Sequence, residues 1–126
     1  RTYEYLGIRG GSFQVMQGTD RLFLPALAMG CAGTVSGISC SYPEPFVKIY
    51  QAFQAGDLDA AREWQKKANR IAEILHCGAN LAMFKCALAH RGLFDSSVRG
   101  PQLDLTAGER ENLEETLCRF EAECLD

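Results

Sequence analysis

The stretch from Phe13 to Pro45 constrains this chain more than any other, because extended and helical signals follow one another there without a linker. It runs FQVMQGTD, RLFLPALAMG, CAGTVSGIS and CSYPEP. Two short β-like runs separated by one short helix form the grammar of a βαβ unit, and its strands are expected to run parallel. Phe13 and Val15 alternate with polar residues, as in a half-buried strand. Gly18 ends that strand, and Thr19 or Asp20 is placed to cap the next helix. The helix predicted from Leu22 to Met29 holds Pro25, which is tolerated only in a first turn, so the helix either starts late, near Leu22, or is bent there, and Gly30 stops it. The second strand is predicted over Gly33 to Ser39, where Gly33 and Gly37 suit close approach by backbone or ligand. A chemical site belongs where these two strands end.

From Pro45 the period becomes helical. Phe46, Ile49, Tyr50 and Phe53 fall on one face. Gly56 closes that helix and Asp57 caps the next, whose stripe of Trp64, Ala68, Ile71 and Leu75 extends as far as Cys77 before Gly78 breaks it. Leu81, Phe84 and Leu88 mark a third helix ending at Gly92, with Lys85, His90 and Arg91 suited to its negative C-terminal end. Thr106 and Glu109 spell a capping box opening a last helix on Leu113, Leu117 and Phe120. Ahead of Phe13, a helix end is expected around Tyr3 to Ile8, stopped by Gly10 and Gly11.

This inventory of two strands and about five helices poses a physical problem. Parallel strands are normally buried on both faces, and two of them make a poor sheet alone. Either another chain supplies the missing partners or this is the tail of a larger domain. The start at Arg1 rather than at a methionine is read as a processed or truncated chain.

With 126 residues the chain is the size of one domain. It is 47% hydrophobic and 23% charged, an ordinary soluble composition. A net charge of −3 and a pI near 5.4 argue against nucleic acid or an anionic membrane as partner. No run approaches the ~20 apolar residues of a spanning helix, and the polar, glycine-rich N-terminus lacks a signal-peptide pattern. Cys31, Cys40, Cys77, Cys86, Cys118 and Cys124 are irregularly spaced without a CxxC, and are read as reduced thiols of a cytoplasmic protein.

Three constellations invite chemistry. His76, Cys77, Cys86 and His90 could be metal ligands, since Cys86 and His90 lie one helical turn apart. His76 and Cys77, being adjacent, would point about 100° apart on a helix. The spacing of a structural zinc site is missing, so these are read as packed or surface residues and no metal is expected. Cys40 stands well for a nucleophile at a strand end, but both histidines lie far downstream in helices. Gly18-Thr19-Asp20 follows a strand and opens a helix, so its amides could face an anion, although a tight βα turn explains the same residues. The spaced glycines of a dinucleotide fingerprint are absent. Asp57, Asp59 and Glu63 read as a solvated helix start.

The order of these motifs resembles the C-terminal portion of the dihydrodipicolinate synthase / N-acetylneuraminate lyase family of class I aldolases. Gly18-Thr19-Asp20 resembles that family's Gly-x-Asp after the seventh barrel strand. Gly30-Cys31-Ala32-Gly33-Thr34-Val35-Ser36 is similar to its eighth strand, Gly-x-x-Gly-x-Ile-Ser. Ala55-Gly56-Asp57-Leu58-Asp59-Ala60-Ala61 resembles its Gly-Asp…Ala helix junction. Lys85-Cys86-Ala87-Leu88 with Val98-Arg99-Gly100-Pro101 resembles the Lys-x-Ala-Leu and Val-Arg-x-Pro of its C-terminal helices.

The resemblance implies an α/β fold, the C-terminal part of a (β/α)8 TIM barrel of ~250 residues, with residues 1–56 supplying the last βα units and 57–126 a helical region. It implies a homotetrameric lyase or aldolase that forms a Schiff base with pyruvate or a 2-oxo acid on a lysine of the sixth strand, without a cofactor. That lysine and its proton-relay tyrosine would precede Arg1, so no catalytic residue is assigned. Lys48, Lys66, Lys67 and Lys85 all fall in predicted helices. Substrate-binding roles carry over to Gly18, Thr19, Asp20, Val35 and Ser36, with Val35 lying against the pyruvate imine. Arg21 stands where the sugar-acid lyases often carry an acid, and Cys40 replaces the usual asparagine after the eighth strand. A competing reading takes the helices from Pro45 onward as a non-enzymatic interaction module.

Overall fold

In a computed structural model, which describes residues 1–94 and 97–125, the two extended runs pair in parallel. Strand β1 (Met16–Gln17) lies beside β2 (Gly33–Thr34), with Met16 opposite Gly33 and Gln17 opposite Thr34. The ladder continues one bond beyond each end: the Ala32 amide donates to Val15 O and the Val35 amide to Gln17 O, both at 2.9 Å. The second extended run is shorter than expected. It breaks after Thr34, and Ile38–Cys40 turns into a 3-10 helix. A two-stranded ladder has no outer neighbour to hold a longer run extended.

Helix α1 (Thr2–Leu6) precedes the strands, and α2 (Phe23–Met29) joins them. Pro25 sits in the first turn of α2, where its missing amide costs no intrahelical bond. Gly30 ends the helix with φ 103°, a left-handed stop suited to glycine. Neither Thr19 nor Asp20 caps this helix. A 3-10 turn, Asp20–Leu22, comes between, and the Leu24 amide is met from a distance, donating to Gln65 Oε1 at 2.8 Å.

The described residues form two compact units. The first comprises residues 1–36 and 44–69. Its core joins Phe23, Ala26 and Leu27 of α2 to Phe46 and Ile49 of α3 (Glu44–Gln54), with the Phe23 and Phe46 ring centroids 6.2 Å apart. Tyr50, placed on the same stripe by the sequence, is 41% exposed. Gly56 closes α3 and Asp57 Oδ1 accepts from the Ala60 amide at 2.9 Å, capping α4 (Leu58–Ile74) as expected.

The second unit comprises residues 37–43 and 70 onward. After α4 the chain turns through His76, Cys77 and Gly78, all with positive φ. Asn80 Oδ1 then caps α5 (Leu81–His90) through the Ala82 amide. The buried positions of α5 are Ala82, Cys86 and Ala87 rather than Leu81, which faces outward. Small side chains there let α5 approach α6 (Ala107–Cys124) closely. The α6 capping box forms as read, with the Thr106 amide donating to Glu109 Oε2 at 2.8 Å and the Glu109 amide to Thr106 Oγ1 at 3.3 Å. Leu113, Leu117 and Phe120 are buried as predicted. Tyr42 is fully buried, its ring edge-on to Phe120 at 5.5 Å. Among the described residues no helix is long and apolar enough to cross a membrane.

Candidate functional site

The register of β1 and β2 brings the two sequence-predicted segments to one end of the ladder. Gly18 follows Gln17, Val35 follows Thr34, and the Val35 amide and Thr34 hydroxyl both donate to Gln17 O, at 2.9 and 2.7 Å. The Val35 side chain is 69% exposed, so an apolar, β-branched group stands open at the strand end. Ser36 follows it, half-buried, and Arg21 is exposed beyond the first turn.

The amides of Gly18 and Thr19 do not face open space. Both donate to Gln17 Oε1, at 2.8 and 3.0 Å, so the chain's own carboxamide occupies the position expected for an anion. Asp20 presents a different feature: its Oδ1 is buried and has no hydrogen-bond partner among the described residues. Buried polar atoms are seldom left so. The Asp20 carbonyl accepts from Gln65 Nε2 at 3.1 Å, and the same Nε2 lies 3.0 Å from Asn69 Oδ1. Gln65 therefore ties the βα turn to α4 from both sides. The sequence carries a signal for it: Ala61, Gln65, Ala68 and Ala72 share one buried face of α4, and a lone polar residue on such a stripe needs partners.

Cys40, which the resemblance sets in place of an asparagine, lies exposed at the end of its 3-10 turn. The turn closes without an asparagine: the Ser41 and Tyr42 amides donate to Ile38 O at 3.1 and 3.0 Å, and Ser41 Oγ does so at 3.2 Å. All four lysines lie in helices. Lys66 pairs with Glu63 at 2.7 Å, Lys67 sits 3.9 Å over the Trp64 ring, and Lys85 donates to Ser97 O. None stands at a strand end.

The histidine and cysteine constellation does not converge. His90 Nε2 is 3.2 Å from Glu121 Oε2, Cys86 Sγ is 4.0 Å from Glu114 Oε1, and His76 and Cys77 lie in the left-handed turn. Among the described residues no group of three or more His, Cys, Asp and Glu is arranged to hold a metal. Glu121 instead gathers Tyr42, His90 and Arg91. Burial works to raise its pKa, but hydrogen bonds from Tyr42 and His90, with the charges of His90 and Arg91, outweigh that and hold the carboxyl below its ordinary range.

The dihydrodipicolinate synthetase family model matches residues 5–119, and the chain belongs to that family. It is 31% identical over 113 residues to the 4-hydroxy-tetrahydrodipicolinate synthase of Methanospirillum hungatei, covering 90% of this chain and 39% of that one. The crystal structure of dihydrodipicolinate synthase DapA-2 from Bacillus anthracis matches with a TM-score of 0.82 at 33% identity, covering 92% of this chain and 40% of that one. YagE, a prophage protein of the dihydrodipicolinic acid synthase family from E. coli solved in complex with pyruvate, shares the fold at a TM-score of 0.80 and 20% identity, covering 92% and 39%. The chain spans less than half the length of the curated relatives it matches. The family read from the four motifs is the family found.

Proposed function

We propose that these residues form the seventh and eighth strands and the C-terminal helices of a (β/α)8 lyase that acts on pyruvate or a 2-oxo acid through a Schiff base. One observation carries the reading. The parallel register sets Gly18-Thr19-Asp20 and Val35-Ser36 side by side beyond the strand ends, where ligands bind in barrels of this kind. In that role Val35 packs against the bound imine, Gly18 allows close approach, and Thr19, Asp20 and Ser36 line the rim. Residues 1–56 supply barrel units and 57–126 the helical region. The intact enzyme works in the cytoplasm as a homotetramer and uses no cofactor.

The nucleophile is not among the four lysines here, because helix surfaces do not desolvate an amine enough to favour imine chemistry. The chain alone is therefore catalytically silent. The pairing of Phe23 with Phe46 also supports the barrel reading over an autonomous helical module, since it binds α3 to the strand-bearing residues.

The test is a chimera in which this chain replaces the corresponding C-terminal part of the Bacillus anthracis enzyme. Borohydride reduction with pyruvate should leave a covalent adduct on the chimera and none on the 126-residue chain, read by intact mass. A folded chimera that traps no pyruvate overturns the reading, and an adduct on the isolated chain overturns its silence.

A further inference from the structure

The second unit holds a cavity of about 370 Å³ between the end of α4, the left-handed turn, the start of α5 and the first half of α6. That is within the ~300–1,000 Å³ of small-molecule sites. It lies wholly within residues 73–116 and owes nothing to the reading of the strand ends. Its apolar floor is Ile74, Met83 and Leu113. The charged groups on its wall are both carboxylates, Glu73 and Glu109, and among the described residues no lysine or arginine lines it.

The wall is chemically specific. Glu109 directs Oε2 to the Thr106 amide and hydroxyl, at 2.8 and 2.7 Å, which leaves Oε1 without a partner among the described residues. Those two bonds also keep the carboxyl ionised to lower pH than usual. Asn80 uses its Oδ1 for the Ala82 amide, and its amide nitrogen has no partner among the described residues. The side-chain amide of Asn112 and the ring of His76 likewise make no hydrogen bond among them. His76 and Cys77 adopt left-handed backbone without being glycine, at φ 50° and 51°, a conformation that concentrates at functional sites.

We propose that this cavity binds a small organic cation: an ammonium on an apolar body, the ammonium received by Glu73 and Glu109 and the body by Ile74, Met83 and Leu113. A carboxylate has about four lone-pair sites, so each acid keeps capacity for the ligand beside its existing partners. Asn112 and Asn80 then orient polar substituents at the mouth.

The three methionines make the test direct, because only Met83 lines this cavity, while Met16 and Met29 lie in the first unit. The full chain carrying [13C-methyl]methionine is titrated with phenethylammonium, and with 2-phenylethanol as an uncharged probe of similar shape. The Met83 methyl should shift saturably while Met16 and Met29 stay still, and the alcohol should bind at least about tenfold more weakly for want of a charge-assisted bond. Glu73→Gln and Glu109→Gln should each weaken the amine and leave the alcohol unchanged; glutamine at 109 keeps the capping box. An unmoved Met83, three methyls shifting together, or an alcohol that binds as well as the amine overturns the proposal.

Discussion

Tyr42 and Glu121 lie 79 positions apart and meet in a hydrogen bond of 2.7 Å, the phenol donating to Oε1. The Arg91 guanidinium stands 5.1 Å over the same Tyr42 ring, and His90 reaches the other carboxylate oxygen. The turn following β2 is thereby tied to the C-terminal helices by a bond to a charged acceptor. Tyr42→Phe keeps the ring contacts with Phe120 and Arg91 and removes only the hydroxyl. Loss of about 1.5 kcal/mol is expected, near the lower end for bonds to charged groups because Glu121 retains its other partners. Urea midpoints at neutral pH measure it.

The same carboxyl sets a pH dependence. Its folded pKa lies below the ordinary glutamate value of 4.5, so its stabilisation is fully present above that value and is lost as pH falls through the depressed folded one. Glu121→Gln should therefore be less stable than the parent chain at pH 7, and the gap should close as the solution is acidified below 4.5. Thermal melts of both proteins across that window report it; a gap constant with pH contradicts the assignment.

Gln65→Leu fills similar space but leaves the Leu24 amide and the Asp20 carbonyl unmet. Each is part-buried, so the change should cost about 1–3 kcal/mol. Hydrogen exchange at the Leu24 amide should accelerate before exchange in α6 does, because the loss is confined to the βα turn.

Gly30→Ala places a Cβ on a residue with φ 103°. Left-handed backbone costs a non-glycine residue about 1–2 kcal/mol, and chemical denaturation should show that loss. At Gly100, whose φ is negative and whose added Cβ would meet nothing within 4 Å, the same substitution should change stability little.

What was legible in the sequence was mostly local. The Thr106–Glu109 box, the stops at Gly30 and Gly56 and the Asp57 cap depend on a few neighbouring residues, and each forms as read; of the two readings left open at Pro25, the helix that starts late is the one that forms. The family was legible as well, because its motifs are short and keep their order.

Three things needed the tertiary structure. The strands shrink to two residues each because the ladder has no third member, which no local pattern in Gly33 to Ser39 reveals. The cap expected from Thr19 or Asp20 gives way to Gln65, because a side chain on α4 reaches the Leu24 amide. Tyr42 is fully buried while Tyr50, on an apolar stripe, is exposed, because burial is decided by what covers a face and not by the residue that presents it. The stretch from Phe13 to Pro45 by itself determined a parallel βαβ unit and gave the expectation of a site at its end. Only folding decided that Gln17 fills the anion position, that Val35 stands open, and that a distant glutamine holds the turn between them, since each depends on a chain position that local pattern cannot bring near.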